Sequence, residues 1–77
     1  MWERELKQKK VALAMNIKAI RLEYGLSQER LALDAGVDRT LVSKIERQIS
    51  NPTLEILVKL SLTLKTPITT LLKDPKI

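Results

Sequence analysis

Arg39, Thr40, Ser43, Lys44 and Arg47 are separated by steps of one, three and four residues, a spacing that gathers polar side chains on one face of a helix. Arginine presents a planar fork that fits guanine O6 and N7 together, and threonine offers a hydroxyl or a methyl group to thymine. Arg39 and Thr40 stand at the start of such a helix and Lys44 one turn further along the same face, so all three are candidate base contacts. Ser43 either touches a base or is the small residue that lets the helix sit close to a groove. A solvated polar face would use the same residue types.

The rest of the composition narrows the chemistry. The 77 residues include no cysteine and no histidine, which removes disulfides, thiolate or imidazole metal sites, and Ser-His or Cys-His nucleophile pairs. No inward-facing pair of carboxylates is evident, so no enzyme, cofactor or small-molecule ligand is expected. Fourteen Lys and Arg against nine Asp and Glu give +5, a balance that suits nucleic acid or an acidic surface. Residues 28–47 carry four charges of each sign, so affinity in that stretch depends on where the charges point. No apolar run approaches the roughly 20 residues of a membrane span, and the lack of cysteine suits a reducing compartment. A soluble cytoplasmic protein with no membrane partner is the expectation.

Few breakers partition the chain. Leu13, Ile17 and Ile20 recur at helical spacing, and Gly25 supplies the left-handed residue found just past a helix end. The first helix is therefore expected from near residue 10 to Tyr24. Residues 1–10 form a charged extension, either a helical continuation or an arm. Ser27 can cap a second helix with Glu29 in its first turn, ending at Gly36. Asp38 can cap a third, from Arg39 to about Arg47, with Leu41, Val42 and Ile45 apolar. Thr53 can cap a fourth, with Leu54, Leu57, Val58, Leu60 and Leu64 at its buried spacing. Pro67 takes the first position of a short fifth helix that ends near Lys73, and 74–77 is a tail. The fold class is all-α, a compact bundle of five short helices, with the domain at 11–73.

Two helices crossing at about 100° through a tight turn need a small residue at the crossing and a positive φ in the turn. Ala32 and Gly36 supply these, while Leu31, Ala35, Val37, Val42 and Ile45 face one another. This is the helix-turn-helix pattern, whose second helix enters the major groove. Leu26-Ser27-Gln28, Leu31-Ala32, Gly36-Val37, Val42-Ser43 and Ile45-Glu46-Arg47 together resemble the lambda-repressor and Cro-like (XRE-type) helix-turn-helix family. The resemblance runs from about residue 13 to residue 72. Arg39-Thr40 after Val37-Asp38, and Asn51 after Glu46-Arg47, make it similar to the controller proteins of restriction–modification systems. Three positions depart from that pattern. Gln48 stands where the family often has Gly, Ser50 where controllers often have a basic residue, and Leu41 where a polar or aromatic residue is frequent.

The resemblance points to the same base contacts, Arg39, Thr40, Ser43 and Lys44. It adds phosphate contacts at Gln28, Arg47, Asn51 and Thr53, although Thr53 serves equally well as a cap. It implies a structural ion pair, Arg21 with Glu46, that orients the third helix. Leu60, Leu64, Ile68, Leu71 and Leu72 exceed what one small core needs, and the family implies a two-fold homodimer through these residues. Such a dimer would set two recognition helices about 34 Å apart. Trp2 packs back on the first helix or joins the dimer contact. By family analogy, Glu29 and Asp34 could meet RNA polymerase. The expected function is a homodimeric regulator of transcription that binds a palindromic operator in double-stranded DNA, in the manner of an autoregulating controller. An antitoxin or phage-type repressor with a protein partner is the alternative, and a protein-interaction module that does not bind DNA is a third reading.

Overall fold

The computed structural model describes residues 1–75. Those residues form five helices: α1 (Trp2–Glu23), α2 (Gln28–Ala35), α3 (Arg39–Glu46), α4 (Leu54–Thr63) and α5 (Ile68–Leu71). No strand occurs among the described residues. Lys76 and Ile77, the last residues of the expected tail, lie outside them.

The first helix is longer than periodicity alone indicates, because it starts at Trp2 rather than near residue 10. Residues 2–10 bury little, but they contain no breaker, and Lys9 Nζ donates to Glu5 Oε2 at 2.6 Å across one turn. At 1.5 Å per residue this helix of 22 residues is about 33 Å long. It sets the long dimension of a molecule measuring 35 × 25 × 19 Å.

The core is a single cluster built from every helix: Leu13, Ile17, Leu31, Ala32, Val42, Ile45, Leu60, Leu64 and Leu71. Helix α3 packs between α1 and α2, α4 lies against α2, and α5 closes the bundle between α1 and α4. Three residues offered as dimer contacts, Leu60, Leu64 and Leu71, are fully buried within one chain and serve this core. Ile68 and Leu72 are half-buried. The expected buried set of α4 also changes. Leu54 and Val58 are exposed, and with Leu62 they form a stripe on the side of α4 turned away from the core.

Local caps set the boundaries. Ser27 Oγ accepts from Arg30 N, Asp38 Oδ1 from Thr40 N, and Thr53 Oγ1 from Ile56 N. Pro67 sits one residue earlier than expected, as the N-cap of α5. Four helices end the same way. Just past each end, one amide reaches back five residues: Leu26 N to Arg21 O, Val37 N to Ala32 O, Ile49 N to Lys44 O and Thr66 N to Ser61 O. This arrangement needs a left-handed residue at the position immediately before that amide. Gly25 and Gly36 fill it in two cases, and Gln48 (φ 65) and Lys65 (φ 51) fill it in the others. The third helix thus has the cap that a glycine would give, formed by a residue with a Cβ.

A half-buried amide ties α1 to the end of α5. Asn16 Nδ2 donates to the carbonyls of Leu71 and Lys73 at 2.9 and 2.8 Å, with Thr70 O at 3.2 Å. Thr70 O also accepts from the Lys73 amide at 3.2 Å, whereas the Leu71 and Lys73 carbonyls at the end of the short α5 are met by the α1 side chain.

Candidate nucleic-acid interface

Helix α3 carries the candidate base-reading face, and its two ends are held differently. At the N-terminal end, the Asp38 carboxylate accepts from both the amide and the hydroxyl of Thr40, each at 2.9 Å. The Thr40 amide, and then its hydroxyl, hold the Asp38 carboxyl below its ordinary range. The hydroxyl proton of Thr40 is therefore committed, leaving oxygen lone pairs and a methyl group to face outward. Arg39 is exposed, and its Nη1 donates to Glu29 Oε2 of α2 at 3.2 Å.

At the C-terminal end, Arg21 grips Glu46 with two parallel bonds, Nε to Oε2 at 2.8 Å and Nη2 to Oε1 at 3.0 Å. The two side chains are only 9% and 6% exposed. The hydrogen bonds to Glu46 raise the Arg21 pKa above its ordinary value despite burial. Arg21 Nη1 donates to Leu26 O at 2.8 Å, and Gln28 Nε2 donates to Glu46 Oε1 at 3.0 Å. Four residues, from three helices and one turn, thus join α1, the turn after it, the start of α2 and the end of α3. No buried side-chain nitrogen or oxygen among the described residues lacks a partner.

The remaining candidates divide between surface and structure. Lys44, Arg47 and Asn51 are exposed, Ser43 is half-buried, and neither Lys44 nor Arg47 makes an ion pair among the described residues. Thr53 is exposed, but its hydroxyl oxygen is occupied as the α4 cap. Gln28 is half-buried and directs one amide proton at Glu46, so a single donor remains for a phosphate. Glu29 and Asp34 face cations of their own chain, Arg39 and Arg30. The spacing of residues gave no sign of the Arg39–Glu29 contact, which joins neighbouring helices. The role of Asn16 had one available signal, a polar residue beside the apolar positions 13 and 17.

Among the described residues, no group of three or more His, Cys, Asp or Glu could hold a metal ion. No helix there is long and apolar enough to cross a membrane.

Several known proteins are similar to this chain in sequence and fold. The control protein C.SmaI of Serratia marcescens is 40% identical over 63 residues, covering 82% of this chain and 75% of that protein. The crystal structure of a hypothetical transcription factor from Neisseria superposes with a TM-score of 0.83 at 37% identity, covering 87% of this chain and 77% of the other. The restriction–modification controller C.AhdI of Aeromonas hydrophila gives a TM-score of 0.76 at 34% identity, covering 80% and 94%. The curated relatives are longer than the matched region, and the chain spans between 36% and 75% of their length. The HTH_3 helix-turn-helix family matches residues 17–71, from the middle of α1 through α5. With its two crossing helices, left-handed turn and buried Arg21–Glu46 clamp, the chain belongs to this XRE-type helix-turn-helix family.

Proposed function

We propose that this chain is a sequence-specific DNA-binding regulator of transcription, of the kind that controls a restriction–modification system. The observation that carries this reading is the outer face of α3. Arg39, Thr40 and Lys44 are exposed along a helix whose far end is clamped by a buried, bidentate ion pair. A rigidly held helix with a polar, partly cationic outer face suits the major groove, where arginine and threonine read base edges. Arg47 and Asn51 flank that face and serve as phosphate ligands, with Gln28 contributing its remaining donor. Thr53 acts first as a cap. The relatives named as control proteins support the regulatory assignment.

The active form is a homodimer in the cytoplasm, acting on a palindromic operator. Leu54, Val58 and Leu62 leave an apolar stripe on α4 that a second copy would cover, and Ile68 and Leu72 are left half-buried. A two-fold axis there repeats the same contact on both subunits. The charged pairs of α2, including Glu29 and Asp34, remain on the outside for a protein such as RNA polymerase.

The test is a fluorescence anisotropy titration of the chain against the DNA upstream of its own gene and a scrambled duplex, at two salt concentrations. The expected result is a preference of about a thousandfold or more for the upstream duplex. Equal and steeply salt-dependent binding to both would reduce the chain to a basic surface. Binding to neither would overturn the reading in favour of a protein partner.

A further inference from the structure

Helix α1 extends its polar surface toward the end of α3. Its first ten residues carry Arg4, Lys7, Lys9 and Lys10 against Glu3 and Glu5. The acids are already engaged: Glu5 with Lys9 at 2.6 Å, and Glu3 with the α-amino group of Met1 at 3.9 Å. Arg4, Lys7 and Lys10 form no ion pair among the described residues.

These cations have a defined orientation. Lys7 stands two heptads before Arg21, the residue that reaches across to Glu46, so it lies on the side of α1 turned toward α3. Lys10 stands one heptad before the core residue Ile17 and is half-buried. Both line an open hollow of about 320 Å³ with Trp2, Glu3, Leu6 and Gln48. Gln48 directly follows Arg47 and takes the left-handed turn that leads to Asn51. Two unpaired lysines therefore stand beside the segment that supplies the flanking phosphate ligands. Any duplex seated on α3 would bring its backbone toward this edge, and the unbalanced positive charge complements it.

We infer that the first three turns of α1 are a second DNA-contacting element, in which Lys7 and Lys10, next to Gln48, hold backbone phosphates beyond the base-reading site. This inference rests on the reading of the chain as a DNA-binding regulator. It assigns the extension a sequence-independent role. Each added phosphate contact steepens the fall of affinity with salt by about 0.9 on a log–log plot.

The test compares the full chain with the double variant Lys7→Ala, Lys10→Ala and a charge-matched control, Lys65→Ala, Lys73→Ala. All three are titrated across a salt series against a duplex that the wild type has selected from a random pool, and against an unselected duplex. Circular dichroism checks that each variant stays helical. The α1 variant should flatten the salt dependence by about two per protomer on both duplexes, leaving their affinity ratio unchanged. The control should keep the wild-type slope. Trp2, the sole tryptophan, lines the hollow, so its emission should change when the wild type binds either duplex. An unchanged slope in the α1 variant, or an equal flattening in the control, would overturn the α1 role while leaving the regulator reading intact. A wild type that selects and binds no duplex would overturn both.

Discussion

The two ends of α3 each carry an arginine–glutamate pair to another helix, and the pairs differ in nearly everything except composition. Arg21–Glu46 is bidentate, shielded from water and joined by Gln28 and the Leu26 carbonyl. Arg39–Glu29 is a single contact at 3.2 Å between side chains that are 69% and 72% exposed. The first cannot be opened without stranding a charge in a low-dielectric site. The second exchanges one set of partners for water at little cost. One end of the helix is fixed to the scaffold, and the other holds its guanidinium in a single exposed contact that it can leave. On the proposed reading, a guanine edge would take that fork with two oriented acceptors in place of one long bond.

The largest expected effect breaks the fixed end. Glu46→Ala leaves Arg21 buried and uncompensated, and chemical denaturation should register a loss of about 3–5 kcal/mol. A loss under 1 kcal/mol would mean that water reaches the pair and that the contrast between the two ends is false. Next comes Arg39→Ala at the open end. It should weaken binding to a preferred duplex by about 1–3 kcal/mol and relax preference at one base pair, with the midpoint of thermal unfolding nearly unmoved. Equal losses on preferred and random DNA would remove its base-reading role.

The cap at the fixed end gives a smaller test with the opposite sign. Gln48 holds a left-handed conformation that costs a residue with a Cβ roughly 1 kcal/mol, so Gln48→Gly should stabilise the fold by about that amount. Gly36→Ala should cost a similar amount for the same reason, since an added Cβ there meets no atom within 4 Å and only backbone strain remains. Glu29→Gln should change stability by less than about 1 kcal/mol while removing the charge that faces Arg39. A larger change in the denaturation midpoint would show the open end to be structural as well.

Acid should act on the open end through its cap. The folded Asp38 carboxyl titrates below its ordinary value because Thr40 donates to the charged form. Its contribution to stability is therefore present above the unfolded value and disappears as pH falls through the folded one. Melting temperatures of the wild type and Asp38→Asn should converge as pH is lowered toward 3. Parallel curves would detach Asp38 from the acid response.

What could be read from the residues was local. Ser27, Asp38 and Thr53 cap helices because a short oxygen-bearing side chain before an apolar repeat meets free amides within three residues. Gly25 and Gly36 mark turns because a left-handed residue follows a helix end. The candidate α3 face was legible for the same reason, since helical spacing fixes which side chains share a side. Gln48 and Lys65 escaped notice because their turns use the glycine conformation without the glycine. The start of α1 was ambiguous because residues 2–10 fit a solvated helix or an arm equally well, and the choice rests on contacts such as Glu5–Lys9.

The sequence by itself determined the five helices, the short turn between α2 and α3, and the polar face that α3 presents, all set by interactions within a few residues. Tertiary structure alone decided which apolar side chains close the core. Helical period groups Leu54, Val58 and Leu62 on one side of α4 and Leu60 and Leu64 on another, but not which side α2 and α5 will cover. It also decided that Gln28 leans on Glu46, that Glu29 faces Arg39, and that Lys10 shares a hollow with Gln48. Those pairings join residues far apart or on different helices, and their geometry exists only once the elements have packed.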